Sequence, residues 1–283
     1  MSDDLVLTPG GYRPRSFVHA IEPGYGLTLL NTGEFGKVEL RTQTVMRFPK
    51  PSGHAQFAAH GPGGAPKGHS APPPAPMANG WQTYGWWDSG DKSIGYFTTD
   101  WVVPAAPATS SGQTVFLFNG IQNTGANYGI LQPVLQWGPS AHPGGGAFWA
   151  VASWYVSSNG QAFYSSLVKV KVGDKLQGIT TETGSASGKY DYSCTFHGIG
   201  NTTLPIANIA PLHWANETLE CYNLTKCSDM PAGQTNMTAI EIRIGNAHPN
   251  LNWTAVDAIT DCHQHTTVVS NANPNGEVDI HYS

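Results

Sequence analysis

The sequence predicts an all-β fold, and three observations carry that prediction. Gly and Pro are abundant, at 33 and 21 of 283 residues, and 11% of the chain is aromatic, which is typical of short strands joined by tight turns. No segment keeps a helical period of apolar residues over three turns. Candidate strands instead recur at intervals of about ten to fifteen residues along the main part of the chain.

Charge and hydropathy exclude two classes of partner. Charged residues make up 12% of the chain and the formal net charge is −5, so there is no basic stripe and nucleic acid is not an expected partner. No apolar stretch approaches the roughly 18 residues of a membrane-spanning helix, so no membrane partner is expected either. No phosphate-binding loop or dinucleotide fingerprint is present, and we expect no cofactor.

Local composition divides the chain into three regions. Residues 1–48 hold a few β-like runs and form an N-terminal extension, which we expect to pair with the main sheet or to act as a prosegment. Residues 49–80 have the Pro, Gly and Ala content of a linker. Residues 81–283 form the main domain, where about a dozen strands without a fixed-period repeat predict a β-sandwich. The candidate strands are 94–103, 114–121, 129–137, 147–156, 162–171, 174–182, 189–197, 216–222, 237–244, 252–258, 265–270 and 276–282.

Cysteines and sequons suggest an extracellular protein. Cys221 and Cys227 bracket a short loop that can close as a local disulfide, with Cys194 and Cys262 as the second pair, but four cysteines allow three connectivities and four free thiols are the alternative. The first residues contain acids and no apolar core, so no classical signal peptide is expected. Five N-x-S/T sequons, which fit a secreted surface, lie at Asn201, Asn216, Asn223, Asn236 and Asn252.

The alternation of side chains along the strands brings a few polar residues together. Gln132 and Gln136 share one face of a candidate strand, and Glu220 and Ser153 lie on two others. If the leucine-rich faces and Trp154 form the core between the sheets, these four polar residues point into one concave face. A carboxylate and amides beside aromatic walls can bind a sugar, or can activate water and stabilise an oxyanion. The alternative is a hydrated outer face without a function.

The order of several short motifs resembles the eqolisin, or G1 glutamic, peptidases. The motifs are WVVP at 101–104, NGIQ at 119–122, ILQ at 130–132, WY at 154–155, VGD at 172–174 and ANETLECY at 215–222. The last of them compares with A-E-x-I-x-E-D-F in that family. The resemblance covers about residues 90–245 and implies a concanavalin-like sandwich of two antiparallel sheets with a catalytic Gln and Glu on its concave sheet. It places these roles on Gln132 and, as the second Glu of the motif, on Glu220.

The resemblance implies an acid-acting, metal-independent endopeptidase that cleaves polypeptides. Glu220 would take a proton from water and pass it to the leaving amine, while the Gln132 amide donates to the oxyanion. The family also has a small disulfide loop at the place of Cys221–Cys227. A related group, the neprosin-like glutamic peptidases, shares the sandwich and uses two Glu residues. The residues expected to contact substrate are Gln136, Trp149, Ser153, Tyr155, Phe118 and Tyr222.

Departures from the family pattern leave other functions open. Ser153 and Cys221 stand where the family has acidic residues, and the loss of supporting carboxylates is expected to abolish activity or move its pH optimum. The alternatives are a carbohydrate-binding, lectin-like sandwich and a catalytically inactive relative. The segment DCHQH at 261–265 offers His263 and His265 as metal ligands, with His281 or Asp279 as a third, but we predict no metal site.

Overall fold

The chain folds almost entirely into β-strands, as the sequence predicts. The computed structural model describes residues 4–50, 77–125 and 128–283, so most of the predicted linker lies outside the described residues. Within these ranges, no helix has the length and apolarity that crossing a membrane requires. The strands are β1 (Leu5–Thr8), β2 (Gly11–Pro14), β3 (Val18–Ala20), β4 (Tyr25–Leu29), β5 (Phe35–Glu39), β6 (Val45–Phe48), β7 (Gly80–Asp88), β8 (Tyr96–Val102), β9 (Thr114–Gln122), β10 (Gly129–Gly138), β11 (Gly146–Ser157), β12 (Ala162–Tyr164), β13 (Val168–Lys169), β14 (Lys175–Ala186), β15 (Lys189–Phe196), β16 (Leu204–Ile209), β17 (Trp214–Tyr222), β18 (Gln234–Arg243), β19 (Thr254–Asp257), β20 (His265–Ser270) and β21 (Gly276–His281). Short 3-10 helices cover Arg15–Phe17 and Cys227–Asp229.

Two large sheets form the sandwich. A nine-stranded sheet has the order β19-β7-β17-β9-β10-β11-β12-β3, with β13 paired to β11. A ten-stranded sheet has the order β20-β21-β18-β8-β14-β15-β16-β4-β5-β6, and β1 and β2 form a separate two-stranded sheet. The fold is therefore the all-β sandwich that the sequence predicts.

The central strands of the nine-stranded sheet are buried on both faces. On β9, Val115 and Leu117 belong to the core between the two large sheets. Their neighbours Phe116 and Phe118 belong to a second apolar cluster on the opposite face, which we call the outer face. Every residue of β9 and β10 is buried, and apolar residues accordingly lie on both faces, with Asn119, Gln122, Gln132 and Gln136 among the buried polar exceptions.

The N-terminal extension divides into two parts with different roles. β3 pairs in parallel with β12 at the edge of the nine-stranded sheet, and β4 pairs in parallel with β16 in the ten-stranded sheet. β5 and β6 continue the ten-stranded sheet. Residues 18–48 are thus part of the sandwich, to which they add two parallel pairs, whereas residues 5–14 form a separate hairpin.

The disulfide bond joins a different pair of cysteines from the one expected. Cys227 is bonded to Cys262, with a Cα–Cα distance of 5.4 Å, while Cys194 and Cys221 are free and buried. The prediction of a disulfide bond between Cys221 and Cys227 is wrong, because the Cys221 side chain lies in the core between the sheets. Cys227 lies beyond the end of β17, in the 3-10 helix, where its side chain meets Cys262 instead.

The carboxylate of Asp229 holds the loop between β17 and β18. It accepts hydrogen bonds from Thr109 Oγ1 at 2.5 Å, Ser111 Oγ at 3.0 Å, and the backbone N–H and Oγ1 of Thr225 at 2.8 and 2.7 Å. Burial raises the pKa of this carboxyl, but the hydrogen bonds outweigh burial and lower the pKa to about 2. Asp229 is therefore ionised in the folded protein at neutral pH.

Candidate functional site

Strand register aligns the side chains of the outer face in rows that run across the nine-stranded sheet, each row made of residues that are paired on neighbouring strands. Glu220 of β17 lies opposite Phe116 of β9, which lies opposite Gln136 of β10. Four residues further along, Asn216 lies opposite Gly120. The β9–β10 register sets Gly120 opposite Gln132. Because directly paired residues point to the same face of a sheet, these side chains all belong to the outer face.

The hairpin of residues 5–14 covers this outer face. Val6 and Leu7 pack in the same apolar cluster as Phe116 and Phe118, and the backbone N–H of Ala141 donates to the carbonyl oxygen of Leu7 at 2.5 Å. The hairpin therefore contributes two of the buried residues of the outer cluster. The outer face is thus occupied by a segment of the same polypeptide.

The turn of the hairpin requires glycine at position 10. Pro9 and Gly10 connect the strands, and Gly10 has φ +86°, which is the type II arrangement of Pro followed by Gly. A Cβ at Gly10 would lie 3.3 Å from Val156 Cγ1 and 3.6 Å from Arg13 Nη2. A larger residue at this position would therefore strain the turn and press it away from the sheet.

Glu220 is fully buried beneath this turn. Its Oε1 accepts a hydrogen bond from the Gly10 backbone N–H at 2.9 Å and another from the Tyr222 hydroxyl at 2.5 Å. Burial raises the pKa of Glu220 to about 7, against the lowering effect of hydrogen bonds from Tyr222, Gly10 and Trp81 and of the charge on Arg13. A carboxyl with such a pKa exchanges its proton near neutral pH, as an acid–base group must.

Arg13 brings a positive charge into the same buried space. The side chain is 1% exposed, and its Nε donates to Thr8 Oγ1 at 3.2 Å. Burial lowers the pKa of the guanidinium, while the nearby Tyr128, Tyr222 and Glu220 act in the opposite direction. The buried guanidinium of the hairpin therefore interacts electrostatically with the buried Glu220 carboxyl of the nine-stranded sheet.

Gln132 and Glu220 do not meet as the sequence analysis expects. Their strands are not neighbours, because β9 lies between β10 and β17. Gln132 is also displaced by four residues from the row of Glu220, which is about 13 Å along the strand direction. Within the part of the chain that the structure describes, no hydrogen bond joins the two side chains. The Gln132–Glu220 pair that the motif resemblance implies is therefore divided between two rows, on strands separated by β9.

Gln132 shares its row with Asn216 instead. A Cβ at Gly120 would lie 3.2 Å from Asn216 Oδ1, so the Asn216 amide lies over the glycine between the two strands. Gln132 Oε1 and Asn216 Nδ2 are buried and have no hydrogen-bond partner among the described residues. Asn216 stands at the first Glu of the A-E-x-I-x-E-D-F motif, so the row of Gln132 contains two amides and no carboxylate.

The other residues expected to contact substrate divide between the two faces. Phe118 and Tyr222 lie in the outer cluster, as expected. Gln136 also lies on the outer face, but its Nε2 donates to Gly138 O at 2.8 Å and its Oε1 accepts from Ser140 at 3.0 Å. Its amide is therefore engaged by the end of its own strand and the following loop.

Three of the expected contact residues point into the core between the sheets. Trp154 pairs directly with Gln132 and so lies on the outer face, which reverses the expected orientation of β11. Trp149 and Tyr155 consequently belong to the core between the sheets, and Ser153 is fully buried opposite Pro133. The expectation that Trp149, Ser153 and Tyr155 contact a ligand on the outer face is wrong.

The residues that sequence reasoning missed are Gly10, Arg13 and Asn216. The Pro-Gly-Gly turn at 9–11 and the arginine two residues later are a visible hairpin signal, but nothing in the local sequence states which surface the hairpin covers. Asn216 is missed for another reason, because it forms part of an N-x-T sequon and the sequence therefore suggests an exposed glycosylation site. In the folded chain it is fully buried, and its pairing with Gly120 places it on the outer face.

The histidines near the C-terminus lie apart from this site. The His265 ring stacks on the His281 ring with a centroid distance of 4.1 Å, and His263 lies in a turn with φ +65° rather than on a strand. Across residues 4–50, 77–125 and 128–283, no group of three or more His, Cys, Asp or Glu side chains is arranged to hold a metal ion.

Comparison with known proteins relates the fold to the glutamic peptidases. No protein-family model and no curated protein matches the chain. A crystal structure of scytalido-glutamic peptidase with a transition state analog inhibitor is similar at a TM-score of 0.50 and 13% identity, over 72% of this chain and 98% of that one. At this identity the similarity establishes a shared β-sandwich fold, consistent with the resemblance of the sequence motifs.

Two further structures are similar at lower scores. A second scytalido-glutamic peptidase, with a peptide based transition state analog, has a TM-score of 0.46 and 12% identity, over 71% of this chain and 97% of that one. SCP-B, a member of the eqolisin family in a complex with the tripeptide Ala-Ile-His, has a TM-score of 0.40 and 12% identity, over 72% of this chain and 98% of that one.

Proposed function

We propose that the chain is a peptidase-like hydrolase that binds a polypeptide on its outer face and uses Glu220 as the proton-transfer group. In this proposal the hairpin of residues 5–14 is a prosegment-like plug that keeps the site closed. The disulfide between Cys227 and Cys262 supports an extracellular location, because such bonds persist in oxidising environments.

The observation that carries the proposal is the contact between Glu220 and the backbone of Gly10. Hydrolysis of a peptide bond requires a proton to reach the leaving backbone nitrogen from an acid within hydrogen-bond distance. The Gly10 nitrogen lies 2.9 Å from Glu220 Oε1, and the pKa of this carboxyl is raised by burial to about 7. The Gly10 N–H donates to this oxygen, so the hairpin places a peptide group within hydrogen-bond distance of an acid–base group, as a bound polypeptide would.

The unpaired amides on the outer face suit an extended polypeptide. Gln132 Oε1 lacks a donor and Asn216 Nδ2 lacks an acceptor among the described residues. A peptide group supplies one N–H and one carbonyl oxygen, which would satisfy both atoms. Gln132 thus acts in substrate binding in this proposal rather than as the partner of Glu220.

Glu220 and Tyr222 together have the groups that the chemistry needs. The ionised carboxyl takes a proton from the attacking water and then delivers it to the leaving amine. The Tyr222 hydroxyl, 2.5 Å from Glu220 Oε1, is a donor for the oxygen that becomes negative in the tetrahedral intermediate. In the closed state both groups are engaged with each other and with the hairpin, so the site has no room for a substrate.

The test opens the hairpin without altering the site. Gly10→Val places a β-branched residue at φ +86°, which costs about 1–2 kcal/mol and favours the open state by roughly tenfold. Gly24→Val is the matched control, because Gly24 has φ +91° and no atom within 4 Å of its Cβ position. We expect Gly10→Val to cleave an unfolded protein substrate faster than the wild type, and Gly24→Val to behave as the wild type does.

Glu220→Gln in the Gly10→Val background decides the mechanism. It removes the base while keeping the size of the side chain, so the rate should fall by at least ~10²-fold. Equal rates with and without the carboxyl would exclude Glu220 as the proton-transfer group. Binding of glycans by the opened variant, without any peptide cleavage, would support the lectin-like alternative instead.

A further inference from the structure

Arg13 is an unusual residue to find buried in a hairpin that has no core of its own. It is 1% exposed and ranks among the largest fully buried side chains of the described chain. Its neighbours on β2 remain accessible, since Tyr12 is 39% exposed. Arg13 is thus the residue of β2 whose side chain is buried against the outer face of the nine-stranded sheet, whereas the other residues of the strand are partly or fully exposed.

The sandwich supplies walls that suit a guanidinium. Tyr128 and Tyr222 belong to the outer cluster, and Glu220 contributes a carboxyl group that interacts electrostatically with Arg13. The Gly10 Cβ position lies 3.6 Å from Arg13 Nη2, so the guanidinium lies beside the turn that contacts Glu220. Two tyrosine side chains and a carboxyl group thus interact electrostatically with the guanidinium, which is planar and delocalised and is therefore less strongly hydrated than an ammonium group.

We propose that the space filled by Arg13 is a guanidinium-binding subsite of the outer face, and that polypeptides bound there carry an arginine. This inference rests on the proposed function, because it treats the hairpin as a stand-in for a substrate. The hairpin then specifies the spacing: the arginine lies three residues after the backbone nitrogen that contacts Glu220. The hairpin competes for the subsite with any external polypeptide.

The experiment vacates the subsite in the full-length chain. In Arg13→Ala, n-propylguanidine at millimolar concentration should raise the melting temperature with a saturable dependence, whereas n-propylamine should have a much smaller effect. The wild type, whose subsite is filled, should not respond. Arg15→Ala is the matched control, because Arg15 is an exposed arginine of the same segment and its loss leaves the subsite filled.

A labelled peptide measures the preference directly. The peptide of residues 4–17 should bind Arg13→Ala about tenfold more tightly than the same peptide with citrulline at position 13, because citrulline keeps the shape and removes the charge. Adding Glu220→Gln should reduce that ratio. Equal binding of the two peptides together with no response to n-propylguanidine would overturn the proposal. If Arg13→Ala does not fold, Arg13→Gln replaces it in both measurements, with the same criteria.

The outcomes separate the subsite from the proposed function. Selective binding of the arginine peptide without any Glu220-dependent cleavage would refute the hydrolase and leave the guanidinium subsite standing. Cleavage by the opened chain without preference for arginine at this spacing would refute the subsite and leave the hydrolase standing.

Discussion

The pKa of Glu220 predicts how the stability of the folded chain depends on pH. Glu220→Gln is the perturbation, because the glutamine amide still accepts a hydrogen bond from the Gly10 N–H and from the Tyr222 hydroxyl but does not titrate. Burial raises the pKa of Glu220 from 4.5 to about 7 in the folded protein. The folded state therefore binds this proton more tightly than the unfolded chain does.

The sign and size of the effect follow from these two values. A raised pKa contributes stability that is fully present below pH 4.5 and is lost as the pH rises through about 7. At about 1.4 kcal/mol per pKa unit, the contribution is about 3 kcal/mol. Relative to the wild type, Glu220→Gln should gain about 3 kcal/mol in free energy of unfolding between pH 4 and pH 8.

Urea unfolding at several pH values measures this difference. The nine tryptophans of the chain provide a fluorescence signal, and subtraction of wild type from variant cancels the other titrating groups, such as the buried Glu217 with its raised pKa. A difference that stays constant within about 0.5 kcal/mol, or that changes in the opposite direction, would refute the argument that Glu220 is buried as a near-neutral acid.

Two further predictions concern other polar groups. Asp229→Asn should lower the free energy of unfolding at pH 7 by about 2 kcal/mol, because the pKa of Asp229 is lowered from 3.8 to about 2 in the folded protein. The difference between variant and wild type should vanish as the pH falls through 2. A difference that stays constant down to about pH 2 would contradict this prediction. Asn216→Glu places a carboxyl in the row of Gln132, on the other side of β9. In a Gly10→Val, Glu220→Gln background it should leave cleavage as slow as before, and recovery of the rate would assign the chemistry to the row of Gln132 instead.

The fold was largely predictable because it depends on local patterns. The long strands β9 and β10 appear in the sequence as apolar runs ended by turns, and the order of the motifs implies a two-sheet sandwich. β7 and β16 escaped prediction. β7 follows the Pro-rich stretch directly, and its sequence GWQTYGWWD has glycine inside the strand, a residue that usually marks an irregularity.

The site was less predictable because it depends on register. Alternation along one strand states which residues share a face, but not which face is turned to the partner sheet. The wrong choice for Trp154 therefore reversed all of β11 and moved Ser153 and Tyr155 to the wrong side. Similarly, Gln132 and Glu220 were correctly assigned to one face, but only the pairing through β9 reveals that they belong to different rows.

The contacts of the hairpin are of long range and leave no trace in local sequence. The bond from Gly10 to Glu220 joins residues 210 positions apart. A Pro-Gly-Gly turn predicts a hairpin, but the surface that it covers is decided by the fit of Arg13 and Leu7 to a face assembled from distant strands. Such tertiary contacts require the folded arrangement.

In the proposed function, the outer face is a polypeptide-binding surface that the hairpin occupies. A crystal structure of the Gly10→Val, Glu220→Gln variant with a bound arginine-containing peptide would show whether the two compete for this surface. We predict that residues 5–14 are displaced, that a backbone N–H of the peptide contacts residue 220, and that its arginine fills the space of Arg13. A peptide bound elsewhere, with the hairpin still seated over residue 220, would contradict the claim.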